Sequence, residues 1–379
     1  MTRLRRILPT LLTAFAVVLP IIPVPAAATM DEWTMFRGSP GLLGVAHTTL
    51  PDEPGLLWSF KTGGSVKSSP IVAGGKVYFG SGDSNVYCLN LEGKKIWSTI
   101  TDSPIEAPPL LADGKIFIGT LNGTLYALDA ASGKAAWQYG TGDKILGSPN
   151  VVAAPGQPLR ILVGSYDNKL HCVEAATGKS NWVYETGNYI NGSPAVADGQ
   201  TVFGGCDAIL HILTVTNGAK VKEIEAGAYV AASVALAGNR AYYGHYENEF
   251  QCVDLADGKV IWRYKDRAFP YFSSAAVTED RVLFGGRDKK LHCVKRDSGE
   301  LVWVFATRGK VDSSPVVAGN KVVVGSDDGF VYVVSLTDGK ELWSYEIGQP
   351  VASSPAVAGG RFYIGSDDGS LYAFGQKKK

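Results

Sequence analysis

The stretch GSDDGFVY, residues 325–332, decides the fold because the chain keeps repeating it. It returns as GSDDGSLY at residues 365–372. Six weaker copies begin at Gly80, Gly119, Gly164, Gly204, Gly244 and Gly285. A repeat of about 40 residues is typical of propellers and solenoids. The sequence therefore predicts eight copies of one structural unit.

A tryptophan recurs with the same period. It occurs at Trp58, Trp97, Trp137, Trp182, Trp262, Trp303 and Trp343. Lys222 stands where the missing tryptophan is expected. A glycine lies four residues before this position in every full unit, at Gly93, Gly133, Gly178, Gly218, Gly258, Gly299 and Gly339. These glycines indicate a tight turn into the strand that carries the tryptophan.

The rest of each unit consists of short runs of β-branched and aromatic residues that end in Gly, Asp or Asn, and no segment has a sustained helical period. Four such runs per unit predict an all-β fold, an eight-bladed β-propeller of four-stranded blades. Residues 57–60 precede the first full unit, and the last unit stops at Phe374 without a tryptophan strand. The N-terminal strand is therefore expected to pair with the C-terminal strands and close the ring.

Small residues open the first strand of each unit, as in Ser68-Ser69-Pro70, where blades are expected to crowd at the axis. Proline suits this strand if the strand is an edge whose N–H groups need no partner. The tryptophan falls on the outermost strand, where a large ring fills the gap between blades.

The chain divides into four parts: an export signal at residues 1–28, an N-terminal arm at 29–54, the propeller at 55–375 and a basic tail at 376–379. A basic start, a mainly apolar run and small residues before Thr29 favour a cleaved signal and a periplasmic or secreted protein. The alternative, an uncleaved membrane anchor, is disfavoured by the prolines in the run. No later segment is apolar enough to span a bilayer.

The cysteines and the net charge argue against a disulfide-bonded protein and against a nucleic-acid-binding protein. Four cysteines, Cys88, Cys172, Cys252 and Cys293, share one slot of the repeat that small apolar residues fill elsewhere, and Cys206 lies in a turn. Packed sheets lie about 10 Å apart, beyond the roughly 7 Å Cα limit for a disulfide, so we expect five free thiols. Equal numbers of basic and acidic residues, 36 each, give no sign of nucleic-acid binding.

The run LYALDAASGKAAW, residues 125–137, resembles the tryptophan-docking repeat of pyrroloquinoline-quinone (PQQ)-type propellers. This family includes quinoprotein alcohol dehydrogenases and the outer-membrane assembly protein BamB, and the resemblance covers residues 58–375. The dehydrogenases are longer and carry adjacent cysteines over the cofactor, an acidic calcium site and a catalytic aspartate on long insertions. This chain has no adjacent cysteines and almost no insertions. BamB is acylated at a cysteine just after its signal, whereas the first cysteine here is Cys88, so we expect no lipid anchor.

Two groups of polar residues could carry chemistry. Asp327-Asp328 and Asp367-Asp368 could act as acid–base groups or bind calcium, but they precede a turn glycine, where aspartate is favoured for backbone reasons. Three histidines, His171, His211 and His292, share a slot with tyrosines of other units, which indicates a strand residue and not a metal ligand. No residue is predicted to be catalytic, cofactor-binding or metal-binding.

The eight units differ most from one another at two places, and these are the candidate functional sites. The residue before each Ser-Ser-Pro triplet is variable and is a candidate channel mouth, with Lys67, Glu106, Asn191 and Asp312. Units four to six depart most, since they contain Lys222 and a new aromatic run at residues 269–272. Units that depart from the repeat lose packing energy between blades, and binding of a partner offsets that loss. We therefore predict a partner surface that consists of Tyr229, His245, Tyr246, Phe269, Tyr271 and Phe272. The alternative is drift in a redundant scaffold.

The predicted function is a non-catalytic, exported protein-binding scaffold in cell-envelope assembly, acting as a monomeric propeller. It is expected to need no cofactor and to bind protein partners, with neither nucleic-acid binding nor a transmembrane segment in the mature chain. One alternative is an oxidoreductase resembling PQQ-dependent alcohol dehydrogenases, with PQQ and calcium. Another is a protein that binds a small molecule or glycan in the central channel. Fold alone does not choose among them.

Overall fold

The computed structural model describes residues 31–154 and 156–377, which form eight sheets in a propeller arrangement. The predicted export signal and the last two residues of the tail lie outside the described residues. The first elements are a 3-10 turn, Phe36–Gly38, and the strands β1 (Val45–Ala46) and β2 (Gly55–Lys61). The described residues contain no helix long and apolar enough to cross a membrane.

The first four blades are antiparallel meanders in sequence order. Blade 1 contains β3 (Ile71–Ala73), β4 (Lys76–Gly80), β5 (Asn85–Asn90) and β6 (Lys95–Ile100). Blade 2 contains β7 (Leu110–Ala112), β8 (Lys115–Gly119), β9 (Thr124–Asp129) and β10 (Ala135–Gly140). Blade 3 contains β11 (Asn150–Val152), β12 (Arg160–Gly164), β13 (Lys169–Glu174) and β14 (Ser180–Glu185). Blade 4 contains β15 (Ala195–Ala197), β16 (Gln200–Gly204), β17 (Ile209–Thr214) and β18 (Lys220–Glu225).

The last four blades follow the same order. Blade 5 contains β19 (Ala235–Ala237), β20 (Arg240–Gly244), β21 (Phe250–Asp254) and β22 (Val260–Tyr264). Blade 6 contains β23 (Ala276–Val277), β24 (Arg281–Gly286), β25 (Lys290–Lys295) and β26 (Leu301–Ala306). Blade 7 contains β27 (Val316–Ala318), β28 (Lys321–Gly325), β29 (Phe330–Ser335) and β30 (Glu341–Glu346). Blade 8 contains β31 (Ala356–Ala358), β32 (Arg361–Gly365) and β33 (Ser370–Gly375), and its fourth strand is β2.

The ring closes where the two ends of the propeller meet. Strand β2 pairs antiparallel with β33, with Gly55 opposite Gly375 and Lys61 opposite Ser370. An outer strand from the N-terminal side thus completes the last blade, which confirms the predicted closure. The five cysteines are free, as predicted, and Cys206 alone among them is not fully buried.

The tryptophans join neighbouring blades. The indole N–H of Trp97 in blade 1 donates to the carbonyl oxygen of Ala130 in blade 2 at 3.2 Å. A Cβ on Gly133 would lie 2.6 Å from the Trp97 ring, so this glycine leaves room for the indole in addition to adopting a positive φ. The sequence predicted only the turn. The same indole contact with the next blade is made by Trp58, Trp137, Trp182, Trp262 and Trp303.

The junction between blades 4 and 5 keeps part of this contact without a tryptophan. The ammonium of Lys222 donates to the carbonyl oxygens of Leu255, at 3.4 Å, and Ala256. The side chain of Ile224 lies closest to Gly258, in the manner of an indole at the other junctions. The predicted loss of packing at Lys222 is therefore only partial.

The N-terminal segment from Trp33 to Leu50, here called the arm, contacts the innermost strands of all eight blades. Backbone N–H groups of these strands donate to arm carbonyl oxygens, for example Val72 to Trp33 at 2.9 Å and Leu236 to Gly41 at 2.8 Å. Backbone contacts of the same kind are made by Leu111, Val196, Val277 and Val317. In blade 3 the side-chain amide of Asn150 donates to Pro40 instead, and in blade 8 the N–H of Gly360, in the turn after the inner strand, donates to the Thr48 hydroxyl. The inner edges of six blades are thus paired and not free as expected, because a buried N–H requires a partner. Strand β1 of the arm also adds a fifth, parallel strand to blade 7.

Candidate functional site at the channel mouth

Two sets of loops meet at the end of the axis opposite the arm. One set joins the outer strand of a blade to the inner strand of the next, and the other joins the second and third strands within a blade. Backbone hydrogen bonds tie the two sets together, for example from Tyr246 N–H to the Tyr229 carbonyl at 2.9 Å and from Asp327 N–H to the Lys310 carbonyl at 2.8 Å. We call this surface the mouth face.

A cavity of about 190 Å³ opens at the centre of the mouth face. Its rim includes Glu106, Asn191 and Asp312, so three of the four candidate mouth residues line it. The fourth, Lys67, forms an ion pair with Glu106 at 3.1 Å. Arg287 binds the Asp312 carboxylate through two nitrogens, at 2.9 and 3.1 Å. The acids on the rim are therefore neutralised by partners within the protein.

Aromatic side chains cover the mouth face over blades 3 to 6. Tyr166 and Tyr189 stack with ring centroids 4.8 Å apart. Tyr246 lies 6.3 Å from Tyr229 and 5.4 Å from Phe272, so these three rings form a second group. Tyr189, Tyr229 and Tyr246 are about half exposed. We call these five residues the aromatic arc.

The predicted partner residues separate into exposed and buried ones. Tyr229, Tyr246 and Phe269 are exposed, and Phe272 is half-buried on the cavity rim. His245 and Tyr271 are buried. They can support the exposed rings but do not form part of the surface.

The sequence analysis missed Tyr166 and Tyr189. Tyr166 occupies the same slot of the repeat as Tyr246, and Tyr189 occupies the slot of Tyr229. That equivalence was the signal that could have found them.

Both ends of the aromatic arc carry a cation. The ammonium of Lys144 lies 4.5 Å from the centroid of the Tyr166 ring. The guanidinium of Arg287 lies 4.1 Å from the centroid of the Phe272 ring. Such contacts hold flat rings in place, because a cation is attracted to the face of an aromatic ring.

The remaining half of the mouth face is charged. We call Lys67, Glu106, Lys310, Asp327 and Asp367 the charged arc. Lys310 lies 3.4 Å from Asp327, and burial raises the pKa of Asp367 above its usual value, with Lys67 opposing and Asp327 and Glu106 reinforcing the shift. The charged arc thus consists of ion pairs around one poorly solvated carboxyl group.

The third strands below the two arcs differ as well. In blades 3, 4 and 6 a histidine binds the loop aspartate, as His171 does to Asp167 at 3.0 Å. In blades 1, 7 and 8 a tyrosine makes this contact, as Tyr332 does to Asp328 at 2.9 Å. Burial lowers the pKa of His171, although Asp167 opposes the shift, so the ring is neutral at pH 7. Its second nitrogen bonds to the Tyr139 hydroxyl at 3.0 Å.

The hydrogen bonds of these histidines occupy the nitrogen atoms that a metal ion would need. Asp266, Asp288 and His292 lie close enough together to suggest an ion site. However, Nδ1 of His292 is 3.0 Å from the Tyr264 hydroxyl, and its Nε2 faces Asp288 at 3.1 Å. Lys290 already pairs with Asp266. The group is an ion-pair network, which supports the interpretation of the histidines as strand residues.

The channel residues do not fit a PQQ–calcium site. The cavity of about 190 Å³ is smaller than the roughly 300–1,000 Å³ of typical ligand pockets. The rim acids Glu106 and Asp312 are paired with Lys67 and Arg287, whereas a calcium ion needs several unpaired oxygen ligands. None of the five cysteines lies on the cavity wall.

Comparison with known structures gives the fold many relatives. BamB from Moraxella catarrhalis superposes with a TM-score of 0.71 at 19% identity, covering 86% of this chain and 98% of that one. The computationally designed Ika8 protein gives 0.75 at 14% identity, covering 85% and 99%. Quinohemoprotein alcohol dehydrogenase from Comamonas testosteroni gives 0.76 at 15%, covering 93% and 82%. At these identities the likeness shows the fold alone.

Sequence comparison identifies the family. No curated protein sequence matches this chain significantly. A family model does match, over residues 50–264 and 270–378, which is most of the chain. The chain therefore belongs to the family described as outer membrane protein assembly factor BamB.

Proposed function

We propose that this protein is a non-catalytic, exported scaffold that binds a partner protein of the cell envelope through the aromatic arc. The observation that carries the proposal is the cluster of half-exposed tyrosines beside the channel mouth. The family to which the chain belongs supports the setting in envelope assembly.

The rings are suited to binding because they are held in place before a partner arrives. Tyr166 and Tyr189 stack on each other, and Tyr246 packs between Tyr229 and Phe272. Binding then costs little side-chain entropy, since the rings lose few conformations. Tyrosine is also enriched among residues that dominate interface energies. The partner segment is expected to bring apolar side chains to this surface.

Catalysis is disfavoured by the same geometry. The channel is small, its acids are paired, and the described histidines of the third strands use both ring nitrogens. The described acids of the cavity wall therefore offer no free base or cation site, and Asp367 of the charged arc lies outside that wall.

Two matched double variants test the proposal. Tyr229→Ala with Tyr246→Ala removes the centre of the aromatic arc, and Lys310→Ala with Asp327→Ala alters the charged arc. Capture of partner proteins from an envelope extract, quantified protein by protein, should fall at least about tenfold for the first variant only. Both variants should melt near the parent temperature, because the altered side chains are largely at the surface.

Two outcomes would contradict the proposal. One is loss of capture in the Lys310/Asp327 variant with full capture in the tyrosine variant. The other is dye-linked alcohol oxidation by the parent protein after addition of PQQ and calcium. That activity would show that the protein is a dehydrogenase and that the channel accommodates the cofactor.

A further inference from the structure

Seven serines surround the axis at the base of the mouth cavity, one from each blade except blade 2. They are Ser69, Ser148, Ser193, Ser233, Ser274, Ser314 and Ser354. All are at least nine-tenths buried. Blade 2 has Pro108 in the equivalent slot. We call this set the serine ring.

Backbone hydrogen bonds run around the serine ring from blade to blade. The Ser148 N–H donates to Ser193 Oγ at 2.8 Å, and the Ser233 N–H donates to Ser274 Oγ at 3.1 Å. The other links have the same form. Six hydroxyl oxygens therefore accept a backbone N–H, and the series stops at Pro108, which has no N–H to give.

Each accepting hydroxyl still has a hydrogen to donate. Within residues 31–154 and 156–377, none of these six hydroxyls donates to a protein acceptor, although Ser148 donates to the Pro149 carbonyl at 3.1 Å. Because the six serines line the cavity, their free hydrogens can serve a guest on the axis. A ring of donors favours a guest that only accepts hydrogen bonds.

A buried cation lies just behind this ring. Arg37 is 1% exposed, and its guanidinium donates to the carbonyl oxygens of Ser314, at 3.1 Å, and Ala275, at 2.8 Å. No carboxylate of the described residues lies within ion-pair distance of it, and its Nε has no hydrogen-bond partner there. Its neighbour Phe36 lines the cavity. Burial lowers the pKa of Arg37 to about 9, which leaves it charged at pH 7.

A buried charge without a counter-ion is costly, and an anion on the axis would reduce that cost. We propose that the serine ring is a binding site for one small oxyanion, of phosphate or carboxylate type, on the propeller axis, and that the charge of Arg37, which lies behind the cavity wall and does not line it, favours the anion. The rim acids do not prevent entry, because Glu106 and Asp312 are paired with Lys67 and Arg287. This site lies at the base of the cavity and shares only the rim residue Phe272 with the aromatic arc, so the proposal does not depend on partner binding there.

Thermal unfolding in the presence of single anions tests the site. Inorganic phosphate, acetate and a short peptide with either a free or an amidated C-terminus should be compared, with ionic strength held by a bulky sulfonate. A bound anion raises the melting temperature with its concentration, because it binds the folded state only. Phosphate and the free carboxylates should stabilise the parent protein, and the amidated peptide should not. The compound that raises the melting temperature most identifies the preferred anion as a phosphate, a small carboxylate or a peptide C-terminus.

Single substitutions show where the stabilising anion binds. Arg37→Met should weaken the response, because it removes the buried charge behind the cavity wall, and Arg240→Met, which removes a partly exposed cation paired with Asp297, should not change it. If Arg37→Met does not fold, Ala231→Phe at the cavity rim fills the entrance without touching the ring and should abolish the response. A parent protein that responds to none of the anions, or equal responses in the parent and Ala231→Phe, would overturn the proposal. The serine ring would then hold water only.

Discussion

The two halves of the mouth face are built on the same repeated strands and yet differ in chemistry. Blades 3 to 6 carry the aromatic arc and, in three of the four blades, a histidine on the third strand. The other four blades carry the charged arc, with Tyr87, Tyr126, Tyr332 and Tyr372 in the same slot as the histidines. The two halves therefore differ both in the loops at the surface and in the third strands beneath them, and each difference spans four adjacent blades.

This difference shows where the fold leaves residues free to vary. The axis and the junctions are constrained in nearly every blade by the serine ring, which omits blade 2, and by the tryptophans, which are replaced only by Lys222 in blade 4. The loops keep a repeated aspartate, for example Asp83, which accepts a hydrogen bond from the Gly63 N–H, but the positions that carry the two arcs vary from blade to blade. Random drift would scatter aromatic residues over all eight blades. Their concentration on one half favours a shared function.

The largest expected effect concerns the junctions beneath the two arcs. Trp97→Ala, at the junction of blades 1 and 2 beneath the charged arc, should lower the free energy of unfolding by about 3–5 kcal/mol, because it removes a buried indole and leaves a cavity. Lys222→Met, beneath the aromatic arc, keeps an apolar stem and loses only the ammonium contacts, so it should cost about 1–2 kcal/mol. Urea unfolding measures both.

The comparison of these two variants decides whether the aromatic half gave up stability. Similar losses would mean that Lys222 replaces a tryptophan fully. A gain on replacing Lys222 would mean that its contacts with Leu255 and Ala256 contribute nothing, which would contradict the structure of this junction.

A change of pH is expected to have a smaller effect on the stability of the aromatic half. Burial lowers the pKa of His171 and His245, so the unfolded chain takes up their protons before the folded chain does. Their contribution to stability is therefore complete above about pH 6.5 and is lost as the pH falls below that value. Hydrogen-exchange protection factors, which correct for the slower intrinsic exchange at low pH, should be smaller at pH 5.5 than at pH 7.5 in β13 and in the loop at residues 245–249. Burial raises the pKa of Tyr332, which stays neutral at both values.

His171→Tyr is the matched control for this effect, because tyrosine occupies the same slot in the charged half. The variant should lose the acid response in β13 and keep that of blade 5. A loss of protection of equal size in all eight blades would show that the response is global and unrelated to these histidines.

The sequence predicted the fold well because the information is repeated. Each tryptophan position and each turn glycine appears several times, and the missing strand of blade 8 follows from the two chain ends. The path of the arm could not be predicted, since the segment occurs once and its buried side chains, such as Trp33 and Leu42, follow no repeated pattern. For the same reason the pairing of the inner edges was missed.

The site was predicted less completely. Variable positions beside the Ser-Ser-Pro triplets did indicate the rim, where Glu106, Asn191 and Asp312 lie. Burial of His245 and Tyr271 could not be read from the sequence, because aromatic residues are equally at home inside a blade and on its loops. The stacking of Tyr166 on Tyr189 joins loops 23 residues apart along the chain, and only the structure brings them together.

Site-specific photocrosslinking in producing cells tests the central claim most directly. A benzophenone amino acid replaces Tyr246 in the aromatic arc or, as the matched position in the charged arc, Asp327. Both are loop residues in equivalent slots of the repeat. The account predicts a discrete crosslinked partner protein from position 246 and none from position 327. Crosslinking from position 327 alone, or from neither position, would contradict the assignment of the aromatic arc as the partner surface.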